Sequence, residues 1–397
     1  MQAINAHACL PADADAATLV GRVWRGAPIG GPAVVAVRQG RLYDITAHAP
    51  TMADLLEHDD LHELVHTAPG EDLGPLTAWL ERSIDAHTPT ERLLAPCDLQ
   101  VVKACGVTFA VSLLERVIEE QAGGDPGRAL EIRRQLHELI GSDLSNITPG
   151  SAAAMTLKRE LQARGQWSQY LEVGIGPDAE VFSKAPPLAS VGFGAAVGLH
   201  PASQWNNPEP EIVLAVDSHG RPRGATLGND VNLRDIEGRS ALLLGKAKDN
   251  NGSSALGPFI RLFDYRYTLD DVRRESVHMR IEGRDDGFVI EGDSHMREIS
   301  RDPLALVEQT IGGHHQYPDG FMLFLGTMFS PTEDRDGEGR GFTHHLDDRV
   351  TISTDRLGAL VNRVDRSDAI EPWTLGIRAL YRHLAQRFPP SPAVPGQ

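Results

Sequence analysis

Cysteine is scarce in this chain: Cys9, Cys97 and Cys105 are the only three in 397 residues. They form no Cys-x-x-Cys pair and are odd in number, which argues against a disulfide framework or a structural zinc site. Unpaired thiols fit a reducing cytoplasm. Long apolar runs are missing too. The opening from Met1 to Ala17 is broken by His7, Pro11 and several aspartates, and nothing approaches the roughly 20 apolar residues that span a bilayer. The expectation is a soluble cytoplasmic protein with no signal peptide and no membrane partner. Cations are in deficit, with 38 Lys and Arg against 55 Asp and Glu for a formal charge of -17. The basic residues are scattered, with no stripe that could track phosphates, so nucleic acid is not an expected partner. The acidity does not exclude an anionic small substrate, because a few cations and a metal can reverse the sign inside one cleft. Repeats and low-complexity stretches are absent apart from the Pro-rich tail from Pro389 to Gln397.

What is present is enough apolar material, 41% of residues, to bury a sizeable core. From Thr18 to Ala47, short alternating runs (Arg22-Val-Trp-Arg, Ala33-Val-Val-Ala-Val, Leu42-Tyr-Asp-Ile) separated by Gly-Pro turns predict strands. Met52 to His66 and Leu76 to Ala86 have helical spacing, and Ala86-His-Thr-Pro-Thr stops it. These features suggest a small N-terminal α/β domain over 1–88 and a larger domain over 89–397. Phe109 to Ala122 and Gly127 to Ile140 carry apolar residues at helical spacing, so both are read as amphipathic helices. Beyond about Val181 the chain turns to short strands rich in Gly and Pro until a closing helix at Trp373 to Phe388. The class is α+β.

The most informative stretch is Asn207-Pro-Glu209-Pro-Glu211-Ile-Val-Leu-Ala-Val-Asp217. Two glutamates two apart at the head of a β-branched run point to the same side of a strand. Pro210, lacking an N–H, belongs at a strand start or edge. Ser218-His-Gly-Arg-Pro222 then reads as a turn, and the return strand from Arg223 brings Gly228 to Asp230 opposite Glu211. Three converging carboxylates need a compensating cation, and an all-oxygen set suits Mg²⁺, with Mn²⁺ or Ca²⁺ as substitutes, better than zinc. Spacing alone equally allows a solvated acidic edge.

Several motifs in order resemble the fumarylacetoacetate hydrolase superfamily over approximately Val101 to Val364. They are Glu209-Pro-Glu211, Asn229-Asp230-Val231-Asn-Leu-Arg234-Asp235, Ala247-Lys248 running to Leu256-Gly257-Pro258, Gly326-Thr327-Met-Phe-Ser-Pro331, and Asp348-Arg-Val-Thr-Ile352 followed by Leu357-Gly-Ala-Leu-Val-Asn362. The resemblance implies a mixed β-sandwich roll, metal ligation by Glu209, Glu211 and Asp230, a substrate-side Lys248, a substrate-binding Thr327 beside Gly326, and a homodimer or homotetramer. Lys184 falls where relatives place a lysine before the substrate loop.

One departure redirects the expected chemistry. Hydrolytic members carry a His paired with a Glu to activate water, whereas this chain reads Gly106-Val-Thr-Phe-Ala-Val-Ser112-Leu-Leu-Glu115. Ser112 cannot act as a general base near neutral pH. The remaining pattern looks like the 2-keto-3-deoxypentonate dehydratase subgroup, which converts a 2-keto-3-deoxy sugar acid to 2,5-dioxopentanoate through its enolate. On that reading Glu115 assists the leaving hydroxyl and Lys248 moves or steadies the C3 proton, with Glu115 as a solvated or ion-paired helix residue the alternative. The rival readings are a hydrolase of a 2,4-diketo acid and a non-catalytic, metal-stabilised scaffold. Asn250, in the Asp249-Asn-Asn-Gly252 loop, is placed to hydrogen-bond sugar hydroxyls or to form a plain turn. The Gly192-Phe-Gly194 stretch reads as a tight turn approaching the site. His200, His314, His315, His344 and His345 lack metal-ligand spacing and read as surface or loop histidines, with His200 and His344 near motifs.

Overall fold

The computed structural model of the protein describes residues 4–84, 90–132, 147–163, 165 and 167–389. Its first strands are β1 (Leu19–Arg25), β2 (Gly31–Arg38), β3 (Arg41–Asp44), β4 (Glu71–Pro75) and β5 (Arg92–Leu94). The middle of the chain supplies β6 (Val101–Gly106), β7 (Glu180–Ala185), β8 (Ala196–Leu199), β9 (Asn206–Asn207), β10 (Pro210–Val216), β11 (Pro222–Asp230), β12 (Asn232–Leu233) and β13 (Ser254–Leu262). The last are β14 (Ser276–Glu282), β15 (Val289–His295), β16 (Phe321–Phe324), β17 (Arg349–Thr354) and β18 (Gly358–Arg366). One large sheet runs β4-β3-β2-β1-β13-β11-β10-β16-β6-β7 with β5 on β1, and a second runs β15-β14-β17-β18-β8. Pairing is mostly antiparallel, but β16 with β6 and β18 with β8 are parallel, so both sheets are mixed.

The hairpin β10–β11 forms the centre of the large sheet and explains its layering. Every position of β10 is buried, as expected of a strand covered on both faces. Ile212, Leu214 and Val216 enter a core shared with Met279, Ile352 and Leu360 of the second sheet. Val213 and Ala215 face the opposite way, onto Met52, Leu55 and Leu61 of the helices Met52–Glu57 and Leu61–Thr67. Each fully buried side chain of this kind contributes about 1.5–3 kcal/mol, so strict alternation makes a one-residue slip of the strand prohibitive. The turn is closed by Asp217, whose Oδ1 accepts the backbone N–H of His219 at 3.0 Å and of Arg221 at 2.9 Å.

The first strands do not build a sheet of their own. β1 pairs with β13, Leu19 opposite Arg261 and Val20 opposite Ile260, so the large sheet continues across the expected domain boundary. The boundary between 88 and 89 itself falls outside the described residues. Helical spacing from Met52 to His66 resolves into two helices, because the chain leaves helical geometry at His58 before restarting at Leu61. The closing helix is shorter than its pattern, Ile377–Arg387, with Gly376 extended at its head. The helix Ala110–Ala122 forms as expected and ends on Gly123, whose φ of 66° suits glycine. Of the expected helix Gly127 to Ile140, residues 126–132 are helical and 133–140 lie outside the described residues. Leu113, Val117 and Ile118 pack with Leu161, Leu171 and Trp205 in a separate cluster. Among the described residues no helix is long and apolar enough to cross a membrane.

Candidate metal centre and active site

Glu209 precedes β10, Glu211 is its second residue, and Asp230 ends β11. The register sets Pro210 opposite Asn229 and Glu211 opposite Gly228, which brings all three carboxylates to one end of the hairpin. One oxygen from each lies within 4.8 Å of the others, and all three side chains are buried. Like charges at that range repel by ~4 kcal/mol even at an effective dielectric of about 20. Among the described residues no cation pairs with Glu211. Its Oε2 accepts the Gly326 N–H at 2.7 Å and its Oε1 the Thr327 hydroxyl at 3.3 Å. Burial, then the charges of Asp230 and Glu209, push its carboxyl well above the usual range. Glu209 behaves oppositely. Burial works to raise it, but Arg116 and Lys248 outweigh that and hold it down at about 2. Three buried carboxylates drawn together, one with its pKa pushed well above the usual range by burial and by the other two, fit a divalent cation, and their oxygen-only donors suit Mg²⁺, Mn²⁺ or Ca²⁺.

Two lysines stand at the triad. Lys248 closes the short helix Leu244–Lys248, and its ammonium lies 2.5 Å from Glu209 Oε2 and 3.1 Å from Asp230 Oδ2, a tethered cation where two acids meet. Burial lowers its pKa, and Asp230 and Glu209 more than offset this, so it stays charged. Lys184, on β7, is fully buried. Its Nζ is 2.7 Å from Asp230 Oδ1 and donates to the carbonyls of Val231 at 3.1 Å and Lys248 at 2.5 Å. Here burial dominates and lowers the pKa.

The expected residues thus divide. Glu209, Glu211, Asp230, Lys184, Lys248, Gly326 and Thr327 converge. Ser112 is buried on the helix Ala110–Ala122, where its hydroxyl donates to the Phe109 carbonyl at 2.9 Å, an ordinary intrahelical bond. Glu115 is buried one residue before the side chain of that helix that reaches Glu209, which is Arg116. Asn250 is not brought to the triad: its amide donates to the Lys246 carbonyl at 2.9 Å, beside an open cleft lined by Ala189, Asn251 and Trp373. His344 departs from the surface reading. It is buried, its Nδ1 3.0 Å from Asp348 Oδ2, and Asp348 is in turn held by Arg335 at 2.6 Å. His345 is half-buried, with its ring nitrogens 2.9 Å from Asp285 and from Asp336.

Two features were not found from sequence. Arg116 also contacts Glu119 and Glu237. Glu180 opens β7, opposite Gly106 of β6. Among the described residues its carboxylate accepts no hydrogen bond, and burial, with the charge of Glu237 next, pushes its pKa up to about 7. A Cβ on Gly106, its strand neighbour, would lie 1.9 Å from Glu180 Oε2, so the glycine makes room for this acid. No local period signals Glu180, because the register of β7 against β6 shifts at Lys184.

No protein-family model matches the chain. It is 31% identical over 192 residues to a 2-dehydro-3-deoxy-D-arabinonate dehydratase of Saccharolobus solfataricus, covering 47% of this chain and 59% of that relative. It is 31% identical over 218 residues to a probable 2-keto-3-deoxyxylonate dehydratase of Haloferax volcanii, covering 54% of this chain and 71% of that relative. The fold matches solved structures of 2-keto-3-deoxy-D-arabinonate dehydratase in its apo form, with a TM-score of 0.60 at 20% identity over 88% of this chain and 99% of that one. The form complexed with magnesium and 2,5-dioxopentanoate gives 0.59 over the same shares. A fumarylacetoacetate hydrolase from Exiguobacterium antarcticum gives 0.54 at 16% identity over 88% of this chain and 99% of that one. These matches show a shared fold, built here from two mixed sheets. The chain belongs to the family of its 2-keto-3-deoxypentonate dehydratase relatives and has a fold of the fumarylacetoacetate hydrolase type.

Proposed function

We propose that the protein is a Mg²⁺-dependent hydro-lyase that removes water from a 2-keto-3-deoxypentonate to give 2,5-dioxopentanoate. The observation that carries this reading is the buried set of Glu209, Glu211 and Asp230, closed by Lys248. The names of the relatives support the same substrate class. When bound by the three carboxylates, the metal supplies Lewis acidity that makes a proton beside a 2-oxo group easier to remove.

The chain's own residues then have distinct tasks. Lys184 and Lys248 put positive charge beside the substrate carboxylate in a site too buried for water to screen it. The Thr327 hydroxyl, held by Glu211, turns toward the substrate. A base takes the C3 proton, and the C4 hydroxyl leaves as water with a proton supplied by an acid. A proton shift from C5 completes the aldehyde, so the product differs from the substrate by one water. Glu180, half protonated near pH 7, is suited to either transfer. Glu115 is the second carboxyl proposed to assist the departing hydroxyl, and comparing Glu180→Gln with Glu115→Gln separates the two. The hydrolytic alternative lacks its base at Ser112, whose hydroxyl is committed to a helix carbonyl.

The deciding experiment incubates the purified protein with Mg²⁺ and 2-keto-3-deoxypentonate and follows the products by mass. Loss of one water supports the dehydratase. Fragments from a 2,4-diketo acid, with no turnover of the sugar acid, would overturn it. A cytoplasmic homodimer or homotetramer completes the proposal, and light scattering after gel filtration measures its mass.

A further inference from the structure

Arg116 has no part in the reaction above, yet three buried acids meet at its guanidinium. Its Nη2 donates to Glu209 Oε1. Its Nη1 donates to Glu119 Oε2 at 2.8 Å and lies 2.8 Å from Glu237 Oε2. These partners come from three segments: Glu119 from Arg116's own helix, Glu237 from the turn of helix Arg234–Glu237, and Glu209 from the entry to β10. Glu119 is in turn 3.2 Å from Arg234 Nε, so the far side of the guanidinium is anchored as well.

Glu209 lies one residue outside β10, its backbone held by the Asp230 N–H at 3.0 Å and the Asn229 side-chain oxygen at 3.2 Å, so its side chain takes its orientation from the groups its carboxylate meets. Its two oxygens are shared between Arg116 on one side and Lys248 on the other, 2.5 Å away. The two cations differ in kind. Lys248 is a single point charge already divided between Glu209 and Asp230, whereas Arg116 is a planar fork whose other arm is tied to two further acids. A carboxylate held by such a fork keeps one plane and one charge state. Polar partners behind a metal ligand orient it in this way, and losing one typically costs about 10–100-fold in affinity or activity.

We propose that Arg116 is a positioning residue that sets the Glu209 carboxylate for the metal and ties the helix Ala110–Ala122 to the metal centre. The proposal rests on the metal reading of the triad. The test is calorimetric titration of Mn²⁺ into metal-stripped full-length protein, comparing wild type, Arg116→Lys, Arg116→Met and Glu209→Gln, with circular dichroism of each. Wild type is expected to bind one ion and Glu209→Gln to lose it. Arg116→Met is expected to bind about ten- to a hundredfold more weakly while keeping its spectrum. Arg116→Lys is expected to fall between, because an ammonium cannot span three carboxylates. A purely structural arginine would lower the melting temperature and leave the Mn²⁺ affinity of the folded protein unchanged. If Arg116→Met fails to fold, Arg116→Lys decides: affinity equal to wild type overturns the proposal. Wild-type binding that Glu209→Gln abolishes, with both Arg116 variants unaffected, sinks the role of Arg116 alone. Absence of binding by wild type removes the metal reading and the proposal with it.

Discussion

Lys248 holds two acids at once, and its loss leaves Glu209 with Arg116 and Asp230 with Lys184 as their remaining cations in a buried site. Removing one partner of a buried ion pair typically costs about 3–5 kcal/mol. Lys248→Met is therefore expected to destabilise the metal-free protein by about that amount, with added Mg²⁺ restoring much of it. Thermal denaturation in EDTA and in Mg²⁺ measures both, and a variant equally stable in either buffer contradicts the role of Lys248 as counter-ion. Glu180 makes a prediction about pH. Its carboxyl is raised from an ordinary 4.5 to about 7, as is that of Glu275, chiefly by burial in both cases. Between about pH 4.5 and 7 the folded protein keeps protons that the unfolded chain has released, so this contribution to stability is largest at the acid end and declines as pH rises to 7. Urea unfolding of metal-free protein across that window is expected to show the slope, reduced in Glu180→Gln. As a base, Glu180 acts when ionised, so turnover is expected to fall below about pH 7. Glu180→Gln is expected to lower kcat by about 10²–10⁴-fold.

At the scale of elements, the hairpin β10–β11 and the loop after β16 build the centre together. The hairpin brings the acids, and the loop satisfies Glu211 through the Gly326 N–H and the Thr327 hydroxyl. Gly326 has a φ of 109°, and a Cβ there would lie 1.9 Å from the Thr108 hydroxyl oxygen. Both facts demand glycine. Gly326→Ala is expected to cost about 1–3 kcal/mol and to loosen metal binding by moving the N–H off Glu211. Denaturant unfolding and Mn²⁺ titration check the two effects, and an unchanged affinity would falsify the loop's part in the site. The hairpin was legible in sequence, because a β-branched run, a turn and a return strand fix register arithmetic within about 20 residues. Arg116 and its partners Glu119, Glu209 and Glu237 were not, because their contacts join segments up to 121 residues apart, a separation that no local periodicity encodes.

At the scale of the molecule, the large sheet is continuous from β4 to β7 and passes through the β1–β13 pairing. A chain beginning at residue 89 would expose the β13 edge, with its unpaired backbone groups, to solvent. Such a fragment is expected to aggregate or to exchange its β11 and β13 amides rapidly; a soluble fragment with those amides protected would show that residues 1–88 are dispensable. The sequence by itself determined the strands and helices whose apolar periods are strong, the convergence of Glu209, Glu211 and Asp230, and the family, since these follow from spacing along one segment or from motifs in order. Only the tertiary structure decided that the first strands extend the main sheet, that the Asn250 amide bonds the Lys246 carbonyl, that Glu180 lies against Gly106, and that Arg116 grips Glu209. Each of those depends on which distant segments pack together and how deeply they are buried, and burial is a property of the folded assembly rather than of any stretch of chain.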